Sequence, residues 1–124
     1  GLHSHAQDDD HVQFNGGAGQ AAFQDPTKVA AFVSVPETLA RWTRRNQCTG
    51  TPQRVLSVPG AYCDASAACA GGTQVELCVT ETGGHSWPGG SKPRAGKAEV
   101  SQAIRANDVM WDFFQRVSAP AAPK

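Results

Sequence analysis

Two stretches of this sequence hold residues that could do chemistry. The first, His3-Ser4-His5-Ala6-Gln7-Asp8-Asp9-Asp10-His11, gathers three of the four histidines beside three consecutive aspartates. Imidazole and carboxylate groups are ligands for transition metals, and they are equally the partners from which an acid–base relay is built. The second, Gly83-Gly84-His85-Ser86-Trp87-Pro88-Gly89-Gly90, carries the remaining histidine on a glycine-rich turn. Glycine permits positive φ and close approach of other segments, so such a turn can project its histidine into a cleft. A single loop histidine is ordinarily just a surface residue; the flanking glycines, Trp87 and Pro88 favour the functional reading of His85.

A metal is the sharper hypothesis for the first stretch. His-x-His followed by carboxylates is similar to the H-x-H-x-D-H ligand pattern of the metallo-β-lactamase family, but the register fails, because Gln7 and Asp8 stand where that pattern needs Asp and His. Outside the stretch only His85 is left to complete a site. A small metal-binding protein built on His3, His5 and the aspartates is therefore a minor alternative, and no metal or organic cofactor is expected.

Size and charge limit the remaining choices. A chain of 124 residues is one domain at most, and its formal net charge of zero gives no electrostatic argument for nucleic acid. No run approaches the ~18 consecutive apolar residues of a membrane-spanning helix, so no membrane partner is expected. The chain begins with Gly1 and shows no signal-peptide pattern, which reads as a processed, cloned or truncated product. Cys48, Cys63, Cys69 and Cys78 contain no C-x-x-C pair, so disulfides are favoured over zinc and the expected location is secreted or periplasmic. Four cysteines allow three connectivities. The preferred one joins Cys63 to Cys69 across a small loop and Cys48 to Cys78 between a helix end and a strand, and the other two stay open.

The elements that must position these residues are those of a mixed domain. Ser34-Val35-Pro36-Glu37 has the form of a capping box and predicts a helix from about Val35 to Asn46, with Val35, Leu39 and Trp42 facing a core and Arg41, Arg44 and Arg45 in solvent. Gln53 to Val58 and Gln74 to Thr80 read as strands, and Val75, Leu77 and Val79 are expected on one face. Between them, Pro59-Gly60 and Gly71-Gly72 bracket what reads as a long stapled connection. Asn107 is a good N-cap for a helix of about ten residues whose face of Val109, Met110, Phe113, Phe114 and Val117 needs a large packing partner, with Trp111 also read as a core anchor. The tail from Ser118 to Lys124 is rich in Ala and Pro and is expected to be flexible.

With these blocks in order, the sequence resembles a known family. "HAQDDDHVQFNGG", "SVPETLARW", "CAGGTQVELC", "GGHSWPGG" and "ANDVMWDFF" together resemble the C-terminal half of the secreted polyhydroxybutyrate depolymerase and feruloyl esterase-like family of α/β-hydrolases, over residues 3 to 117. The resemblance implies an α/β fold class, the last strands and helices of an α/β-hydrolase domain with its acid loop and histidine loop, occupying residues 1 to 117. It implies a Ser-Asp-His triad in which His85 is the base and Asp9 the acid, with Asp8 and Asp10 as neighbouring alternatives. His3, His5 and His11 then have no assigned role beyond polar filling. Trp87 either lines the acyl or leaving-group pocket or serves packing.

The resemblance also exposes a gap. Such esterases mount their nucleophile in a G-x-S-x-G elbow, and none of the serines here has glycine two positions away on both sides. The expected partner is the N-terminal half of the same domain, in the same precursor or as a separate chain; the expected substrate is a carboxylic ester, a polyester or a plant cell-wall polysaccharide ester. By itself the chain is expected to be inactive and to leave apolar surface on its last helix exposed. A rival of another class is a disulfide-stapled, non-catalytic binding module using the Trp87 loop on a carbohydrate or polymer.

Overall fold

The structure is a computed structural model that describes residues 1–19, 32–91 and 99–118. Its elements are β1 (Leu2–Ala6), α1 (Val35–Arg45), β2 (Gln53–Val58), β3 (Ala61–Ser66), β4 (Val75–Thr80) and α2 (Ala106–Ser118). The four strands form one sheet in the order β1-β4-β3-β2. Only β1 and β4 run parallel; β3 is antiparallel to both β4 and β2.

This topology corrects the expected fold class. The described residues form a small mixed sheet with two helices, not the C-terminal portion of an α/β-hydrolase. Parallel neighbours need long crossovers, usually helical, whereas tight turns join antiparallel ones. Here Val58 pairs with Ala61, so β2 and β3 are joined by Pro59 and Gly60 alone. Proline pre-sets φ for the first central position of such a turn, and Gly60 supplies the positive φ, 83°, that the second requires. The supposed long connection therefore contains a strand. Its sequence, Ala-Tyr-Cys-Asp-Ala-Ser, is poor in β-branched residues, and it is held instead by pairing along both edges.

The disulfides follow from this register, and they differ from the preferred pairing of Cys48 with Cys78 and Cys63 with Cys69. Cys63 and Cys78 stand directly opposite each other on β3 and β4 and are bonded. Cys48 is bonded to Cys69. Gln47, in the left-handed region at φ 53°, turns the chain out of α1. Backbone hydrogen bonds from Ala70 to Asn46 and from Thr49 to Ala68 then align the segment after α1 with the segment after β3. Two disulfides fit an oxidising, extracellular type of compartment.

β4 is interior to the sheet and covered on both faces, so burial extends beyond the face that carries Val75, Leu77 and Val79. Val75 and Val79 are buried on one face, and Glu76, Cys78 and Thr80 on the other. Cys63, Cys78, Ala61 and Ile104 form the core cluster, with Leu2, Leu56 and Val109 packed against it. The Glu76 carboxylate, 4% exposed, is paired with Arg116 of α2. Such a buried carboxylate needs its partner, because an unpaired charge there would be strongly destabilising.

The helices carry less of the core than their patterns promised. Ser34 caps α1 by accepting from the Glu37 amide at 3.1 Å, but the Glu37 carboxylate reaches forward to Arg41 instead of back to the cap. Val35 is buried, while Trp42 is 44% exposed and lies over Gly1. In α2 only Ala106 and Phe113 are buried; Trp111, Phe114 and Val117 are exposed. Trp111 and Phe114 are thus not core anchors among the described residues. Ser118 closes α2 instead of opening the tail, and residues 119–124 of that expected tail lie outside the described residues. No described helix is long and apolar enough to cross a membrane.

Candidate active site

The two stretches that could do chemistry meet at one end of the sheet. β1 and β4 are parallel, with Ala6 paired to Thr80, so the loops leaving both strands emerge side by side. The loop after β1 carries the three aspartates, and the loop after β4 carries His85. The Gln7 amide extends the ladder by donating to the Thr80 carbonyl at 2.9 Å.

Each aspartate does something different. Asp8 Oδ1 accepts from the Gly84 amide at 2.8 Å and thereby ties the acid loop to the histidine loop. Asp9 is turned inward: its side chain is 5% exposed, Oδ1 accepts from the amides of His11 and Val12, both at 2.9 Å, and Oδ2 lies 3.0 Å from His85 Nδ1. Asp10 points outward and lies 2.8 Å from His11 Nδ1. Of the three, Asp9 is the one in contact with His85.

A carboxylate only accepts, so in the neutral ring the His85 Nδ1 carries the hydrogen and Nε2 keeps its lone pair. The ring is 55% exposed. It lines an open cleft of about 280 Å³ together with Ser4, His5, Asp9, Ser86 and Trp87. The loop beneath it is fixed by backbone contacts. Gly83, at φ 121°, passes so close to Ser101 that a Cβ would sit 3.1 Å from its Cβ and amide nitrogen. The Gly89 amide donates to Ser101 and the Ala106 amide to Pro88. Trp87 is 55% exposed and lines the cleft, and its indole N–H donates to Asn107 Oδ1 at 3.0 Å. Asn107 does not cap α2, which begins a residue earlier, and its side chain accepts from Trp87 instead.

Asp9 holds its charge firmly. Burial by itself would raise its pKa, but the hydrogen bond from His85, the amides of Val12 and His11 and the charge of His85 together hold it below the usual carboxylate range. A depressed carboxyl pKa stabilises the fold fully above the unfolded value, near pH 4. That contribution is lost as the pH falls through the folded value.

His5 is the residue whose place the sequence did not signal. Its side chain is 10% exposed, Nε2 lies 2.7 Å from the Val12 carbonyl and 3.5 Å from Asp9 Oδ2, and Nδ1 lies 3.1 Å from His3 Nε2. A carbonyl accepts only, so His5 Nε2 donates, closing the acid loop from within, and His3 Nε2 donates to His5 Nδ1. Burial first, and then the neighbouring His5, lower the His3 pKa. His5 Nε2 approaches Asp9 Oδ2, but among the described residues no three ligand atoms drawn from His3, His5 and the aspartates converge as a metal site would need. The Val12 carbonyl, a backbone partner from the acid loop, holds this arrangement in place, and it is not visible in residue types.

The protein comparisons agree with part of this picture. No family model matches the chain, and no solved structure matches it. Over 112 residues the chain is 29% identical to feruloyl esterase B of Piromyces equi, a match that covers 90% of the chain. The resemblance is to an esterase. The chain spans 17% of the length of feruloyl esterase B, so it corresponds to a small part of that protein. Among the described residues, the hydrogen bond recorded at the His85 ring is the one to Asp9, and no hydroxyl is joined to it.

Proposed function

We propose that this chain supplies the acid and the base of a secreted serine esterase, with the nucleophilic serine lying outside the chain. The observation that carries the reading is the 3.0 Å contact between Asp9 and His85 at the mouth of a cleft, with Nε2 left to accept a proton. His85 Nε2 takes the hydroxyl proton as the serine attacks the ester carbonyl, and Asp9 stabilises the imidazolium that forms. His85 then returns the proton to the departing alcohol, and water releases the acid from the acyl-enzyme by the same steps. The similarity to a feruloyl esterase favours esters of aromatic acids on plant polysaccharides, with polyesters as the other carboxylic ester class.

The segment that brings the serine has a place to dock. β1 lies at the edge of the described sheet, so one of its sides is free for a further strand. Beside it, a cavity of about 450 Å³ lies between Leu2 and Ser4 of β1 and Met110, Phe113 and Phe114 of α2, with Trp87 at its rim. We assign this apolar face to the remainder of the same protein.

Hydrolysis of methyl ferulate by the full-length protein tests the reading. Ferulate should be released, and a fluorophosphonate that labels active serines should stop the reaction and attach outside these 124 residues. No hydrolysis of any carboxylic ester, or hydrolysis indifferent to the phosphonate, would count against it.

A further inference from the structure

His11 and His85 stand side by side next to Asp9. Their ring centroids are 4.9 Å apart and their planes inclined by 24°. One nitrogen of each ring and one Asp9 oxygen lie within 4.8 Å of one another. Each ring also has a carboxylate behind it: Asp9 Oδ2 is 3.0 Å from His85 Nδ1, and Asp10 Oδ1 is 2.8 Å from His11 Nδ1. Both carboxylates accept, so each neutral ring holds its hydrogen on Nδ1 and presents a bare Nε2. A carboxylate behind an imidazole is the arrangement that fixes the ring and raises its basicity in metal-binding histidines.

We propose that His11 and His85 bind one zinc ion through their Nε2 atoms, with Asp10 and Asp9 orienting the two rings from behind. Imidazole nitrogen suits zinc, and an ion of this size completes its tetrahedron with water when the protein offers few ligands. Two zinc–nitrogen bonds of about 2.0–2.1 Å at a tetrahedral angle place the nitrogens roughly 3.4 Å apart. The rings lie nearly face to face, so their in-plane Nε2 lone pairs meet at one ion only after a turn, and His85, with 55% of its side chain exposed, is the one able to make it. His11 is 28% exposed, so the site opens directly to solvent. The site is separate from the His3–His5 pair, whose facing nitrogens are engaged with each other and with Val12.

A consequence follows that rests on the esterase reading. Zinc would occupy the same Nε2 lone pair that takes the serine proton, so metal binding and hydrolysis exclude each other, and zinc acts as a reversible inhibitor.

The test is titration of the full-length protein with zinc chloride, followed by calorimetry and by the Cε1–H resonances of His3, His5, His11 and His85. One ion should bind per chain, shifting the His11 and His85 signals and leaving those of His3 and His5 in place. His11→Ala and His85→Ala should each weaken binding at least tenfold, and Asp10→Asn, which keeps both rings, should weaken it about tenfold or more. An absence of heat and of shifts up to about 1 mM zinc would overturn the proposal. So would binding that is unchanged in His11→Ala, or that moves His3 and His5 instead. If zinc binds as described but full-length protein hydrolyses esters equally well in its presence, the zinc site stands and the assignment of His85 as the base falls.

Discussion

Replacing His85 with alanine in the full-length protein is expected to lower kcat/KM for an ester by about three to four orders of magnitude, with KM nearly unchanged. A positioned general base contributes about 10²–10⁴ on its own, and loss of a triad member disables the whole relay. The effect falls on kcat because the imidazole gains its charge only as the serine attacks; substrate in the ground state does not draw on it. Asp9→Ala should be roughly ten- to a hundredfold milder than His85→Ala, since the histidine remains and loses only its orientation and its countercharge. Steady-state kinetics on methyl ferulate check both. Similar activity in the His85 variant would remove it from the reaction.

The second large effect is on stability. Cys63 and Cys78 are fully buried, face each other across β3 and β4, and sit in the core cluster with Ala61 and Ile104. Their bond closes a loop with a sequence separation of 15, for which the chain-entropy argument gives about 3 kcal/mol. Domains as a rule are stable by only about 5–15 kcal/mol, so a loss of that size is a large fraction of the total. Cys63→Ala with Cys78→Ala should therefore move the urea midpoint far down. The Cys48–Cys69 bond closes a loop of similar length, with a separation of 21, but its cysteines are only partly buried and lie outside the core cluster. Removing it should cost less than removing the core bond. Equal losses for the two double variants, or a loss below about 1 kcal/mol for the core pair, would contradict this ranking.

What the sequence disclosed and what it hid divide along a physical line. Ser34 with Glu37 and the alternation of β4 are local signals, and they located α1 and β4 to within a residue or so. β3 was missed because Ala, Asp and Ser have little preference for strands, and a strand paired on both edges needs none. Its omission carried the disulfide error with it, since only the register of β3 on β4 places Cys63 opposite Cys78. The fold class failed for a related reason. The expectation came from resemblance, whereas the antiparallel connection is set by the two-residue turn at Pro59-Gly60. At the site, Asp9 and His85 are 76 positions apart, and what joins them is the parallel pairing of β1 with β4. Residue types could nominate both groups, but the separate tasks of Asp8, Asp10 and His5 depend on backbone amides and carbonyls that carry no sequence signature.

Asp9 is expected to set the state of the His85 ring, and nitrogen-15 NMR of that ring reads it directly. In the native chain the neutral ring should carry its hydrogen on Nδ1. In Asp9→Asn, the amide oxygen can keep the contacts with the His11 and Val12 amides, which turns the amide NH₂ toward His85. That group donates, so Nδ1 must accept and the hydrogen should move to Nε2, the form unable to serve as base. Reversal between the two proteins is the predicted result. The same hydrogen position in both would show that Asp9 does not control His85, and the acid–base assignment would fail with it.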